Sequence, residues 1–201
     1  MKLYSHPGSC SSAAHIAAIE AGLDFELVKI NLRGDRKLPD GRDFTEINPK
    51  GYVPALELDN GEVLTEIVAI LQYIADLNPG KELGFSADPL QRARLVEWLC
   101  YINVELHKNV STIFNPDMPE QAKSIAREKL GMRLAYADEQ LTNREYLLGN
   151  HFTVADCYLF IVLSWMPMLE FDLSPYTNFK RYQDNIDKRE SAIEVKAAAK
   201  G

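Results

Sequence analysis

The chain of 201 residues is long enough to bury the core of one large domain or of two small ones. Its formal net charge of -7 argues against general binding to nucleic acid. No apolar run approaches the length that spans a bilayer, and the N-terminus lacks the pattern of a signal peptide, so we expect a cytoplasmic protein without membrane partners. The three cysteines, Cys10, Cys100 and Cys157, have no metal-type spacing, and we predict neither a disulfide framework nor a metal site.

Residues 2–22 read as a short strand, a break at Pro7 and Gly8, and an Ala/Ile-rich helix that ends at Gly22. Cys10 lies where this helix begins. Unpaired backbone N–H groups and the helix dipole favour an anion there, so we expect a thiol biased toward the reactive thiolate, with neighbouring serines that cap the turn and donate to the sulfur. The alternative is that Cys10 is only a small cap residue.

The rest of the N-terminal half alternates strand and helix patterns. Residues 25–31 predict a strand, and the polar loop 33–43 has a cationic tip that includes Arg33, Arg36 and Lys37. Two apolar runs around Asn60-Gly61 predict a hairpin, and an apolar stripe over 66–77 predicts a helix. The order βαβ-ββα is typical of a small α/β domain with helices packed on one sheet.

The C-terminal half is predicted to be all-helical. We place the α/β domain at 1–78, a Pro/Gly-containing linker at 79–87, and the helical domain at 88–201. An N-cap with proline at the first helical position opens a long amphipathic helix at residue 88. Thr153 to Asp156 forms a capping box, and the helix behind it is apolar nearly all round, which predicts the buried centre of this domain.

Several segments occur in an order that is specific when they are taken together. They are K-L-Y-S-H-P-G-S-C-S at 2–11, N-P-K-G-Y-V-P at 48–54, L-T-E at 64–66, A-I-L-Q-Y at 69–73, E-L-H-K at 105–108 and F-T-V-A-D at 152–156. This set resembles the cytosolic glutathione transferases, and it is most similar to the bacterial beta class. The resemblance implies the cytosolic glutathione transferase fold, with an N-terminal thioredoxin-like domain and a C-terminal all-helical domain. It also implies a cytoplasmic homodimer that uses glutathione as co-substrate, needs no metal, and acts on small electrophiles.

The resemblance also implies roles for particular residues. Cys10 and His107 match the catalytic positions. Val53 precedes a proline that matches the family's cis-proline, although an ordinary trans strand proline is the alternative, and Glu66 matches the partner of the glutamyl ammonium. The implied glutathione-binding residues are Ser11, Arg36, Lys37, Tyr52, Val53, Pro54, Glu66, Ile67 and Lys108. The implied acceptor pocket consists of Cys100, Tyr101, Val104, Phe114, Trp165 and Met168.

Three positions depart from the pattern. Many beta-class proteins have a small residue at the position of Ile67, and polar residues that reach the partner's glutathione at those of Cys100 and Val104. Two other functions therefore stay open beside conjugation. One is thiol-disulfide exchange through Cys10, by a monothiol route because Ala13 stands where a second cysteine would complete a dithiol. The other is a non-catalytic binding or regulatory protein.

Overall fold

The N-terminal part of the chain forms a four-stranded mixed sheet. Its strands are β1 (Lys2–Ser5), β2 (Glu26–Lys29), β3 (Ala55–Glu57) and β4 (Val63–Thr65), in the spatial order β2-β1-β3-β4. The helix α1 (Ser11–Glu20) connects the parallel pair β1 and β2, whereas β3 is antiparallel to both β1 and β4. The helix α2 (Ile67–Leu77) follows β4. The predicted βαβ-ββα order and the predicted hairpin are confirmed.

The structure is a computed structural model that describes residues 1–32, 34–85 and 87–199. Arg33 of the cationic loop, Ser86 of the linker, and residues 200 and 201 of the helical domain lie outside the described residues. The further helices are α3 (Pro89–Tyr101), α4 (Lys108–Phe114), α5 (Glu120–Gln140), α6 (Val154–Ser164), α7 (Thr177–Ile186) and α8 (Glu190–Ala198). The boundaries proposed at 78 and 88 stay predictions.

The long helix predicted from residue 88 onward is α-helical only in its two end portions. α3 ends at Tyr101, Ile102–His107 is a π-helix, and α4 begins at Lys108. In this segment the Asn109 side chain donates to the Glu105 carbonyl at 2.7 Å, which supplements the backbone hydrogen bonds. The buried residues 102, 106 and 110 recur every four positions rather than every 3.6, which fits the wider winding.

α6 is the buried centre of the helical domain, as its composition predicts. Residues 154–163 are all buried, and the capping box predicted from Thr153 and Asp156 is present. The Asp156 carboxylate accepts hydrogen bonds from the Thr153 N–H at 2.8 Å and from the Leu147 N–H at 2.9 Å, and it also accepts from the Tyr182 hydroxyl. This one carboxylate therefore joins the start of α6 to the preceding loop and to α7.

Two polar contacts fix the helical domain against the sheet domain. Arg189 makes a bidentate ion pair with Glu20 at the end of α1, with N···O distances of 2.7 and 2.6 Å. On the opposite side of the domain junction, the Trp165 indole N–H donates to the Gly8 carbonyl at 2.7 Å. The first contact joins the end of α1 to the start of α8, and the second joins the segment before α1 to the end of α6. In the ranges that the structure describes, no helix is long and apolar enough to cross a membrane.

Candidate active site

A cavity of about 940 Å³ lies between the two domains. Cys10, Val53 and Glu66 line it from the sheet domain, and His107 and Trp165 line it from the helical domain. Three of these residues lie at the ends of helices: Cys10 at the start of α1, Glu66 at the start of α2, and His107 at the end of the π-helix. The domain junction thus brings together residues that are nearly a hundred positions apart in the chain.

Cys10 differs in its electrostatics from the prediction. Burial raises the pKa of its thiol to about 12, and the backbone N–H groups of Cys10 and Ser11 lower it by less than burial raises it. The thiol donates to the Val53 carbonyl, with an S···O distance of 3.5 Å, and the peptide bond between Val53 and Pro54 is cis. The cis-proline is confirmed, whereas the expected thiolate is wrong for the ligand-free protein, because desolvation outweighs the helix start.

The neighbouring serines stabilise the turn, as predicted, but the Ser11 hydroxyl bonds to other groups of the turn and not to the sulfur. The Ser11 hydroxyl is fully buried and lies 2.7 Å from both the Ser5 and the Ser9 hydroxyls, and it accepts from the His6 N–H at 3.0 Å. These bonds close the turn between β1 and α1. Ser11 therefore contributes its backbone N–H to the environment of the sulfur, while its side chain holds the turn together.

The raised pKa predicts slow alkylation of Cys10 in the ligand-free protein. At about pH 8 the thiolate fraction of a group with this pKa is roughly a thousandfold below that of an ordinary cysteine. We expect iodoacetamide to modify the exposed Cys100 at least a hundred times faster than Cys10, and to leave the buried Cys157 unmodified. Peptide mass spectrometry over time measures all three rates. Equal rates for Cys10 and Cys100 would show that the start of α1 lowers the pKa of the Cys10 thiol by at least as much as burial raises it.

Glu66 occupies the N-cap position of α2 with φ of 72°, a conformation that side-chain-bearing residues rarely adopt. Its carboxylate is 63% exposed and pairs with the Lys50 ammonium at 2.6 Å, while Lys50 also donates to the Thr65 hydroxyl at 3.0 Å. Lys50 lines the cavity, and the sequence analysis missed it because it used the segment N-P-K-G-Y-V-P only as a family motif and assigned Lys50 no role. The available signal was the opposite charge of Glu66 and Lys50, which belong to two separate segments of the family pattern.

The other predicted glutathione-binding residues fall into two groups. Tyr52, Ile67 and Lys108 line the cavity. Among the described residues, Arg36 and Lys37 are not part of its lining: they are exposed on the neighbouring loop, where Lys37 pairs with Asp43 at 3.7 Å.

The predicted acceptor pocket is brought together in part. Val104, Phe114, Trp165 and Met168 line the same cavity as Cys10, so its helical side is apolar. Cys100 is exposed on α3 outside the lining, and Tyr101 packs against Trp98 and Tyr136 around a separate groove on α3 and α5. Cys100 and Tyr101 precede the π-helix, in the last α-helical turn of α3. This turn directs both side chains away from the cavity, whereas Val104, within the π-helix, lines it.

His107 is held by two aromatic residues. Its Nδ1 lies 2.6 Å from the Tyr158 hydroxyl, and its ring centroid lies 4.9 Å from that of Trp165. Burial lowers the pKa of the imidazole to about 4, with a smaller contribution from the Lys108 charge. His107 is therefore neutral at physiological pH. Sequence reasoning missed Tyr158, although a tyrosine inside an apolar helix signals a buried hydroxyl that requires a partner.

Within the described ranges there is no group of three histidine, cysteine or acidic side chains that could hold a metal ion. The chemical groups of the cavity are instead a protonated thiol, a neutral imidazole, a carboxylate with its lysine, and an apolar wall. A thioredoxin-like domain with a cis-proline beside its first helix, joined to a helical domain across this cavity, defines a two-domain protein with a small-molecule cavity at the domain junction.

Comparisons with known proteins agree with this class. Family models for the glutathione S-transferase N-terminal and C-terminal domains match residues 8–77 and 97–190. The glutathione S-transferase GstA of Escherichia coli is 41% identical over 189 residues, which is 94% of this chain and 94% of that protein. The chain belongs to the glutathione S-transferase family.

Solved structures extend the similarity to the whole fold. A ternary complex of BphK, a bacterial glutathione transferase, is 44% identical with a TM-score of 0.96, and 100% of both chains is covered. A sphingomonad glutathione S-transferase complexed with glutathione is 42% identical with a TM-score of 0.94, covering 100% of this chain and 99% of that one. The beta-class enzyme of Sphingomonas chungbukensis is 41% identical with a TM-score of 0.93, covering 99% and 98%. The resemblance to the bacterial beta class is confirmed.

Proposed function

We propose that this protein conjugates the thiol of glutathione to electrophilic, hydrophobic small molecules. The observation that carries the proposal is the single cavity in which Cys10 and Glu66 face the apolar side chains of Val104, Phe114 and Trp165. Polar groups for a peptide-like thiol and an apolar wall for its reaction partner thus share one space, as a two-substrate conjugation requires.

Glutathione is proposed as the thiol because the family uses it and because the polar side of the cavity matches its charges. Glu66 is the proposed partner of the glutamyl ammonium, and it already holds a cation, the Lys50 ammonium, at 2.6 Å. Lys50, once displaced by the glutamyl ammonium, remains beside the glutamyl carboxylate. Lys108, which lines the cavity, offers a further cation for a carboxylate.

The protonation states favour conjugation over exchange through Cys10. A Cys10 thiol with a pKa of about 12 stays protonated at neutral pH. A protonated thiol can donate a hydrogen bond to the glutathione sulfur, but it does not attack a disulfide, which requires the thiolate. We therefore assign Cys10 to stabilising the glutathione thiolate. The non-catalytic alternative is not favoured either, because His107 and the apolar wall are both present at the cavity.

We also propose that the protein is a homodimer. Its support is the groove on α3 and α5 away from the cavity, where Tyr136 is 47% exposed and stacks on the buried Trp98; Met132, four residues before Tyr136 on α5, is 56% exposed. Exposed aromatic and methionine side chains clustered around a groove are typical of a surface that a partner covers. A cytoplasmic location stays a prediction.

Calorimetric titration with reduced glutathione tests the proposed binding. We expect one saturable site per chain, and a Kd that rises roughly 10- to 100-fold in Glu66→Gln, because a charge-assisted contact is lost. The matched control is Glu62→Gln, an exposed glutamate in the β3–β4 turn, for which the Kd should not change. Absence of binding at millimolar glutathione in the unchanged protein would refute the assignment.

A paired activity assay then separates conjugation from exchange. Conjugation to an aromatic halide and reduction of a mixed disulfide are measured on the same preparations of the unchanged protein and of Cys10→Ala. We expect conjugation to persist in Cys10→Ala at a reduced rate, since His107 remains. Disulfide reduction that exceeds conjugation in the unchanged protein, and disappears in Cys10→Ala, would instead support exchange.

A further inference from the structure

A hydrogen-bonded chain of three side chains lies behind the cavity. The His107 Nδ1 is 2.6 Å from the Tyr158 hydroxyl, and that hydroxyl donates to the Asn103 Oδ1 at 3.0 Å. Asn103 and His107 are on the π-helix and line the cavity, whereas Tyr158 is fully buried in α6. The π-helix places both polar residues, four positions apart, against one tyrosine of the neighbouring helix.

The proton count along this chain decides the tautomer of the histidine. A tyrosine hydroxyl has one proton to donate, and burial raises its pKa, so Tyr158 stays protonated. Because that proton is directed to Asn103, the Tyr158 oxygen acts as the acceptor toward His107. The Nδ1 of the neutral imidazole therefore carries the hydrogen, and its Nε2 has a free lone pair.

We propose that Tyr158 is a positioning residue that holds His107 in the Nδ1–H tautomer, so that Nε2 accepts the thiol proton of glutathione. The proposal rests on the proposed function for the identity of the thiol. Tyr158 is buried and does not itself contact the substrate, so the residues that line the cavity do not by themselves reveal this role.

As the glutathione sulfur forms its bond to the electrophilic carbon, the S–H bond breaks and the proton passes to Nε2. In a substitution the leaving group departs with its bonding electron pair, and the imidazolium then releases the proton to water. In an addition the imidazolium returns the proton to the carbanion that the attack creates. Nδ1–H remains bonded to the Tyr158 oxygen throughout.

The surroundings of His107 are compatible with a neutral base. Burial, and the positive charge of Lys108 next to it, keep the imidazole uncharged in the free protein. The titratable groups that line the cavity from the sheet domain include the thiol of Cys10, the imidazole of His6, and the carboxylate of Glu66 with the Lys50 ammonium; the hydroxyl of Tyr158 on α6 contacts His107 directly. A glutathione sulfur that gains negative charge during the reaction favours the imidazolium at the moment the proton arrives.

The tautomer is measured directly in the ligand-free protein by the two ring-nitrogen chemical shifts of His107 in ¹⁵N NMR. The signals are assigned by their absence in His107→Gln. We expect a protonated Nδ1 and an unprotonated Nε2 in the unchanged protein. In Asn103→Leu the Tyr158 hydroxyl loses its acceptor and donates to Nδ1 instead, which moves the hydrogen to Nε2, whereas Asn103→Asp retains the acceptor and the original tautomer. An Nε2–H tautomer in the unchanged protein would overturn the proposal.

Steady-state kinetics test whether Tyr158 contributes to conjugation through His107. We expect Tyr158→Phe to lower kcat for conjugation about tenfold, a part of the 10²- to 10⁴-fold that a positioned acid-base group contributes. The Kd of glutathione should not change, and Tyr158→Phe should cost nothing further in His107→Gln. If the losses of the two variants multiply, Tyr158 acts independently of His107 and the proposal is wrong. If glutathione fails to bind, the proposed function fails, while the NMR result still decides the tautomer.

Discussion

Asp156→Ala is expected to lower the free energy of unfolding by about 3–5 kcal/mol, the usual result of removing the acceptor of a buried polar network. The fully buried carboxylate accepts from the backbone N–H groups of Leu147 and Thr153, and alanine leaves both without a partner, whereas the Tyr182 hydroxyl keeps the backbone carbonyl of residue 156 as an acceptor. Urea denaturation at about pH 8 measures the change with the carboxylate ionised, because burial raises its pKa to about 6.

Asp172→Ala is the matched control. Asp172 also accepts from a backbone N–H and a hydroxyl, both of Ser174 at 2.8 Å, but it is exposed. We expect its unfolding midpoint to stay unchanged, since water replaces the lost acceptor. A similar midpoint for the two variants would mean that the Asp156 network contributes little, and that apolar packing alone stabilises α6.

His107→Leu is expected to lower kcat/KM for conjugation roughly 100-fold, because leucine fills a similar volume but cannot accept a proton. The Kd of glutathione should change less than threefold, since the proposed binding contacts come from the sheet domain and from Lys108 and not from the His107 side chain. Steady-state kinetics and calorimetry on the same preparation measure both quantities.

The control for His107 is His151→Leu. His151 lies outside the cavity, where its Nε2 is 3.0 Å from the Glu82 carbonyl. Its variant should retain full activity. A loss of less than threefold in His107→Leu would show that the cavity ionises glutathione without a base, through Cys10 and the helix start alone.

Much of the fold was predictable from local patterns. Asn60-Gly61 predicted the β3–β4 hairpin, and Thr153 with Asp156 predicted the start of α6, because turns and caps are determined by neighbouring residues. The π-helix was not predicted. A π-helix is a local variant of an α-helix, with no pattern of its own in the sequence. Its partner for hydrogen bonds, Tyr158, lies in a helix some fifty residues later in the chain.

The candidate site was predictable in its composition but not in its chemistry. Cys10, Val53, Glu66 and His107 line one cavity, as the resemblance implied, while Tyr101 faces a different groove. The face of a helix on which a residue lies follows from periodicity. Whether that residue reaches the cavity depends on how the whole helix is wound and packed.

Local sequence was sufficient for the order of elements, the caps, the hairpin and the family motifs, since each depends on residues close together in the chain. The tertiary structure alone decided the protonation of the two central groups. The start of α1 by itself favours a thiolate at Cys10, yet packing against the Val53 segment and the helical domain removes water and raises that pKa to about 12. The neutrality of His107 likewise arises from burial beside Trp165 and Tyr158, because desolvation depends on all atoms nearby and not on position in the chain.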